Sequence, residues 1–133
     1  MPDPMDVEVV SAERIVWSGQ ATNIIARTVD GDIGILPGHE PVVGILVPGG
    51  VEVYTTENTR EIVAVDGGFI SVGQGRVSIL SEYARMAQEI DIPAAEKELA
   101  EAQARLDEGE DDEETRKHYN RASAQLRAAE KAR

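Results

Sequence analysis

Cysteine, histidine and paired carboxylates are the side chains that most often hold a metal or move a proton, and in this sequence the first two are sparse. There is no cysteine, and the two histidines, His39 and His118, stand far apart along the chain. Disulfides and cysteine-bearing zinc sites are thereby excluded, a histidine-rich metal site is disfavoured, and no metal is expected. No Gly-x-Ser-x-Gly elbow and no His-Glu-x-x-His pair occurs. Gly31-Asp32-Ile33-Gly34 is not a phosphate loop, because no Gly-Lys-Ser/Thr follows it. The adjacent carboxylates Asp111 and Asp112 fall at the start of a helix-forming stretch, where capping accounts for them. His39 reads as a hydrogen-bonded structural histidine rather than a ligand. Neither enzymatic activity nor a cofactor is expected.

The elements that carry these residues follow two different periods. Up to Ser81 the chain reads as short strands separated by turn signals, rich in Val and Ile. Val7 and Val9, then Ile15 and Trp17, recur at alternate positions, and Ser18-Gly19 is expected to punctuate them. A run over residues 21–29 ends at Asp30-Gly31, a pair suited to a tight turn. Residues 51–55 alternate apolar with polar, residues 61–65 lead through Asp66-Gly67-Gly68 into 69–72, and Gly73-Gln74-Gly75 leads into 77–80. This rhythm predicts an all-β sandwich or barrel.

After Glu82 the strong helix formers Ala, Glu, Gln, Arg and Leu dominate. Asp91 is expected to cap a first helix with Pro93 in its first turn, and Ala95, Leu99, Ala102 and Leu106 form its apolar stripe. The stretch from Asp107 to Glu110 breaks that helix. Asp111 and Glu114 resemble a capping box opening a second helix, with Tyr119, Ala122, Leu126 and Ala129 on one stripe. Both stripes are narrow and alanine-rich, so the hairpin is expected to dock marginally on the sandwich. The division falls between residues 1–87 and 88–133.

Net charge is -12, which would repel phosphates and anionic lipid head groups and disfavours nucleic-acid binding. The charge is uneven. Arg116, Lys117, Arg121 and Arg127 sit in a basic tail on an acidic body, an asymmetry that suits docking on an acidic surface. The opening residues 1–6 are acidic and Pro-rich, unlike a secretory signal or organelle presequence. No apolar run approaches the roughly 20 residues that span a bilayer.

Three segments resemble the epsilon subunit of F-type ATP synthases. Val9-Val10-Ser11-Ala12-Glu13 with Trp17-Ser18-Gly19 is similar to the family's first hairpin. Gly31-Asp32-Ile33-Gly34-Ile35-Leu36-Pro37-Gly38-His39-Glu40-Pro41 resembles its most characteristic loop, and Gly67-Gly68-Phe69 resembles its Gly-Gly-Phe segment. The resemblance implies an α+β architecture: an N-terminal β-sandwich of two antiparallel sheets followed by a C-terminal antiparallel two-helix hairpin. It also implies a non-enzymatic place at the foot of the central stalk, with the sandwich on the gamma subunit. A loop at Gly31, Asp32, Ile33 and Gly34 would face the c-ring, and Pro37, Gly38 and His39 would belong to the gamma-facing or structural loop.

By the same resemblance, the hairpin would either fold against the sandwich or extend into the catalytic head. There Arg116, Lys117, Arg121 and Arg127 would meet the beta subunit, with alpha a further neighbour, and hinder ATP hydrolysis. Some members bind ATP through Ile-Asp-x-x-Arg-Ala. Here Ile90 and Asp91 persist, but Ala94 replaces the arginine and Gln125 stands where a second-helix arginine would be, so weak or absent ATP binding is expected. The implied location is peripheral, on the cytoplasmic face of a bacterial plasma membrane, with a plastid thylakoid membrane as the alternative. The competing reading from the residues is a stand-alone β-sandwich adaptor without a synthase role.

Overall fold

The computed structural model describes residues 3–133, so the reading of the opening segment falls in part on Met1 and Pro2, outside the described residues. Among the described residues, nine strands precede two helices. They are β1 (Met5–Val10), β2 (Ile15–Thr28), β3 (Gly31–Ile35), β4 (Val42–Ile45), β5 (Gly49–Thr55), β6 (Arg60–Val65), β7 (Phe69–Gly73), β8 (Arg76–Leu80) and β9 (Ala84–Met86). A single 3-10 turn, Ala87–Glu89, leads to α1 (Ile92–Asp107) and α2 (Glu113–Lys131).

Strand β2 belongs to both layers of the sandwich. Its residues 15–21 pair with β1, whereas residues 24–28 pair with β3 and 21–25 with β5. The register on β5 shifts between Ala21 and Asn23, the kind of irregularity that lets a strand turn from one sheet into the next. Ser18-Gly19 therefore does not interrupt the chain, contrary to the sequence expectation. Gly19 sits beneath Trp17, whose ring would lie 3.0 Å from a Cβ at that position.

One layer is ordered β4-β7-β8-β1-β2 and the other β3-β2-β5-β6-β9. All pairings but one are antiparallel. β1 and β8 run parallel, because β1 opens the chain and is met by β8 only after the long excursion through the second layer. The core between the layers holds Val7, Val9, Ile24, Ile35, Val53, Val63, Ile70 and Ile79, all at most 3% exposed. The period-two alternation of β1, β7 and β8 supplies this face.

The β6 strand breaks that alternation: its last four residues are all buried. Val63 and Val65 face the core, while Ile62 and Ala64 lie under α2 with Ala128. Helix α2 thus sits between the second layer and α1, touching β5 and β6 on one side and α1 on the other. Of the stripe that the periodicity suggested, Ala122 is buried and Tyr119, Leu126 and Ala129 are half-buried, but the full buried set of Thr115, Ala122, Ser123, Ala124 and Ala128 covers two faces rather than one. For α1 the expected stripe holds, with Ala95 and Ala102 buried and Leu99 and Leu106 half-buried.

Small residues bring α2 close to the sheet. A Cβ on Gly50 would lie 3.0 Å from the Ala128 Cα, so glycine on the strand and alanine on the helix set the approach. Asp91 caps α1 by accepting from the Ala94 amide at 3.1 Å. At α2 the cap is Asp112, which accepts from the Thr115 amide at 2.7 Å. Asp111 lies one residue too early and instead pairs with Arg116, so the expected Asp111–Glu114 box is displaced by one position.

Candidate functional site

The segment Gly31, Asp32, Ile33 and Gly34, expected as a loop, is strand β3, hydrogen-bonded to β2 in the register Arg27↔Asp32 and Ile25↔Gly34. The turn lies just before it, and Gly31 has φ +113°, a conformation that favours glycine. Thr28 Oγ1 braces the turn, donating to the Gly31 carbonyl at 2.9 Å and accepting from the Asp30 amide at 3.1 Å. Asp32 is exposed and accepts from Arg27 Nε at 2.8 Å. This hydrogen bond, together with the charge of Arg27, holds the Asp32 carboxyl below the usual aspartate range. Ile33 packs on the core from the partly buried side.

Beyond β3 the chain reverses through Leu36, Pro37 and Gly38. The His39 amide donates to the Leu36 carbonyl at 3.0 Å, and Gly38 has φ +86°. The His39 ring donates from Nδ1 to the Glu40 carbonyl at 2.7 Å, so it closes its own loop. Among the described residues, no group of three His, Cys, Asp or Glu side chains could hold a metal ion.

Sequence reasoning missed an apolar row on the outer face of the first layer. Cross-strand pairing joins Ile45 to Phe69, Phe69 to Leu80, Leu80 to Val10 and Val10 to Ile15. Ile45, Phe69, Leu80 and Ile15 are each between 46% and 57% exposed, in a chain of strongly acidic balance. Val29 is also exposed, and its amide bonds the Ile45 carbonyl at 2.9 Å, so the row reaches the β2–β3 turn. The available signal was parity: these residues occupy the strand positions opposite to those that fill the core.

The basic tail residues are engaged within the chain, mostly with the sandwich. Lys117 Nζ lies 3.5 Å from Glu82, and Arg121 Nε lies 3.3 Å from Asp66, with its Nη2 3.6 Å from Glu82. Arg127 donates to the Pro48 carbonyl at 2.8 Å. Arg116 points elsewhere, with Nη2 2.6 Å from Asp111 Oδ2. Two further contacts, absent from the sequence reading, close the C-terminal end: Lys131 to Glu52 at 3.4 Å, and Arg60 to the Lys131 carbonyl at 2.9 Å. Burial alone would raise the Glu52 carboxyl, but bonds from Tyr54, Arg60 and Lys131 outweigh it and leave the group below the ordinary glutamate value.

At the nucleotide-motif position, Ile90 packs beside Ile62 and Ala128 while Asp91 serves as the α1 cap. Ala94 is exposed and brings no charge.

The structure thus presents a two-layer sandwich with an exposed apolar row, a braced turn beside it and a hairpin held by charged contacts. Comparison with known proteins specifies its family. Residues 4–87 match the family described as ATP synthase, Delta/Epsilon chain, beta-sandwich domain. The ATP synthase epsilon chain of Streptomyces avermitilis is 47% identical over 107 residues, 80% of this chain and 86% of that one. That of Streptomyces coelicolor is 42% identical over 129 residues, covering 97% and 98%. Among solved structures, a chain of the Euglena gracilis mitochondrial ATP synthase (OSCP/F1/c-ring, rotational state 1) superposes with a TM-score of 0.77 at 28% identity. The match covers 99% of this chain and 82% of that chain. The chain belongs to the ATP synthase epsilon chain family, a non-catalytic subunit of the central stalk.

Proposed function

We propose that this chain couples rotation of the c-ring to ATP synthesis by holding the gamma subunit on one face of its sandwich and the c-ring at one end. The observation that carries the reading is the Ile45–Phe69–Leu80–Val10–Ile15 row, an apolar band on a chain of net charge -12. Contiguous exposed apolar rows on acidic proteins mark places where another protein excludes water. The band is assigned to gamma. The braced β2–β3 turn with Gly31, Asp32, Ile33 and Gly34 is assigned to the c-ring, and Pro37, Gly38 and His39 fix the reversal behind it. A rigid turn loses little entropy on contact.

Residues 1–87 form the binding unit in this reading and 88–133 a regulatory one. Arg116, Lys117, Arg121 and Arg127 would reach the beta subunit, and alpha beside it, when the hairpin leaves the sandwich, and would slow hydrolysis there. Among the described residues no helix is long and apolar enough to cross a membrane. Attachment would be peripheral, at the cytoplasmic face of a bacterial plasma membrane, through the complex. With Ala94 in place of an arginine, ATP is not expected to hold the hairpin down, and calorimetry should show no micromolar binding.

The deciding experiment is ATP hydrolysis by the catalytic head with gamma, comparing the full chain with one cut after Glu89. Inhibition by the full chain alone, with equal binding of both, is the expected result. Equal binding without inhibition by either would remove the braking role and keep the coupling role. Failure of both to bind would overturn the gamma assignment.

A further inference from the structure

The contacts between hairpin and sandwich are unequal in burial. Lys117–Glu82 is exposed on both sides, with 43% and 56% of the side-chain surface free, and ties little down. Asp66 is different, with only 9% of its side chain accessible. Its Oδ1 accepts from Ser81 Oγ at 2.9 Å and from the Tyr83 amide at 3.1 Å, both within the sandwich. Its Oδ2 is left for α2, and Arg121 Nε reaches it at 3.3 Å. The Arg121 guanidinium also lies 5.5 Å from the Tyr83 ring centroid. The sandwich thus holds a fixed carboxylate with one oxygen turned toward the helix, and a single arginine covers it.

From this geometry we infer that Asp66, buttressed by Ser81 and Tyr83, is the latch on which Arg121 holds the hairpin against the sandwich. The C-terminal contact of Lys131 with Glu52 lies ten residues further along α2, roughly 15 Å at the helical rise. The helix is therefore held at both ends of this stretch, with the Arg127–Pro48 hydrogen bond and the close Gly50–Ala128 approach between them. Arg121 cannot occupy Asp66 and an outside acidic partner at once. On the reading proposed above, the same guanidinium that would brake hydrolysis is withheld while the latch is closed, so a weakened latch should strengthen the brake.

Amide hydrogen exchange on the full chain tests the latch without any partner. Asp66→Asn keeps an oxygen for Ser81 and the Tyr83 amide, and Arg121→Gln leaves the sandwich untouched, so both should fold. Each should speed exchange in α2 roughly three- to tenfold relative to β1 and β8, and the double variant should be no faster than the faster single one. Unchanged α2 exchange in Arg121→Gln, or additive effects in the double variant, would overturn the latch. Hydrolysis by the catalytic head with gamma then separates the two ideas. Asp66→Asn should inhibit more than the parent and Arg121→Gln less. Altered exchange with identical inhibition would leave the latch standing and remove the brake.

Discussion

At the scale of single residues, the glycines that carry a steric obligation are the sharpest test of the structure. Gly68 has φ +104°, and a Cβ there would sit 2.0 Å from the Leu80 carbonyl oxygen, a backbone atom that cannot rotate away. Gly68→Ala should therefore cost about 2–4 kcal/mol in chemical denaturation, combining left-handed strain with overpacking. A loss below about 1 kcal/mol would show that the turn rearranges freely. Gly50→Ala is a different experiment, because the obstacle is the Ala128 backbone of α2 at 3.0 Å. It should loosen α2 while leaving denaturation of the sheet nearly unchanged, since the helix can shift and the core beneath Gly50 cannot. The sequence disclosed Asp66-Gly67-Gly68 as a turn, but not that Gly50 is a contact point. That role depends on a helix arriving from the other end of the chain, and no local pattern records it.

At the scale of elements, the second helix shows how a titrating side chain can govern docking. The Glu52 carboxyl is held below the ordinary glutamate value of 4.5, because Tyr54, Arg60 and Lys131 together outweigh the effect of burial. A carboxylate lowered on folding contributes its stability in full above the unfolded value and loses it as the pH falls through the folded one. Protection of the α2 C-terminal turns should thus decline as pH drops below about 4.5, whereas Glu52→Gln should show the weaker protection already at neutral pH. Following those amides by exchange from pH 6 to 3.5 checks it, and parallel curves for the two proteins would exclude Glu52 as the cause.

The elements themselves were unevenly legible in the sequence. Strands β5 to β8 and both helices stood out because alternation, glycine turns and helix-forming composition agreed there. The fused β2 did not, since Ser18-Gly19 reads as a break unless the pairing with β1 is known. Strand β3 was hidden by its two glycines, β4 by its glycine and short length, and β9 by lying in a stretch poor in β-branched residues. In each case sheet pairing, a non-local interaction, overrode local propensity.

For the whole molecule, the question is whether the hairpin is part of the fold or a passenger on it. The main core runs from Met5 to Met86 and includes no residue of α1 or α2. The hairpin covers a smaller cluster built on Ile62, Ala64 and Ala128, and charged contacts such as Arg121–Asp66 and Lys131–Glu52 add to its attachment. A chain ending after Glu89 should consequently melt as one cooperative unit, losing the contribution of Ile62 and Ala64 but keeping the sandwich core. In the intact chain, the surface ion pairs that bind α2 should weaken as salt screens them, the Debye length falling from about 10 Å at 0.1 M to about 3 Å at 1 M. Exchange in α2 should then quicken with salt while exchange in β1 and β8 does not. Should the truncated chain fail to melt cooperatively, or should helix and sheet respond to salt together, the hairpin would be integral to the fold. A tail that leaves the sandwich would then require the sandwich to unfold, a cost incompatible with a reversible brake.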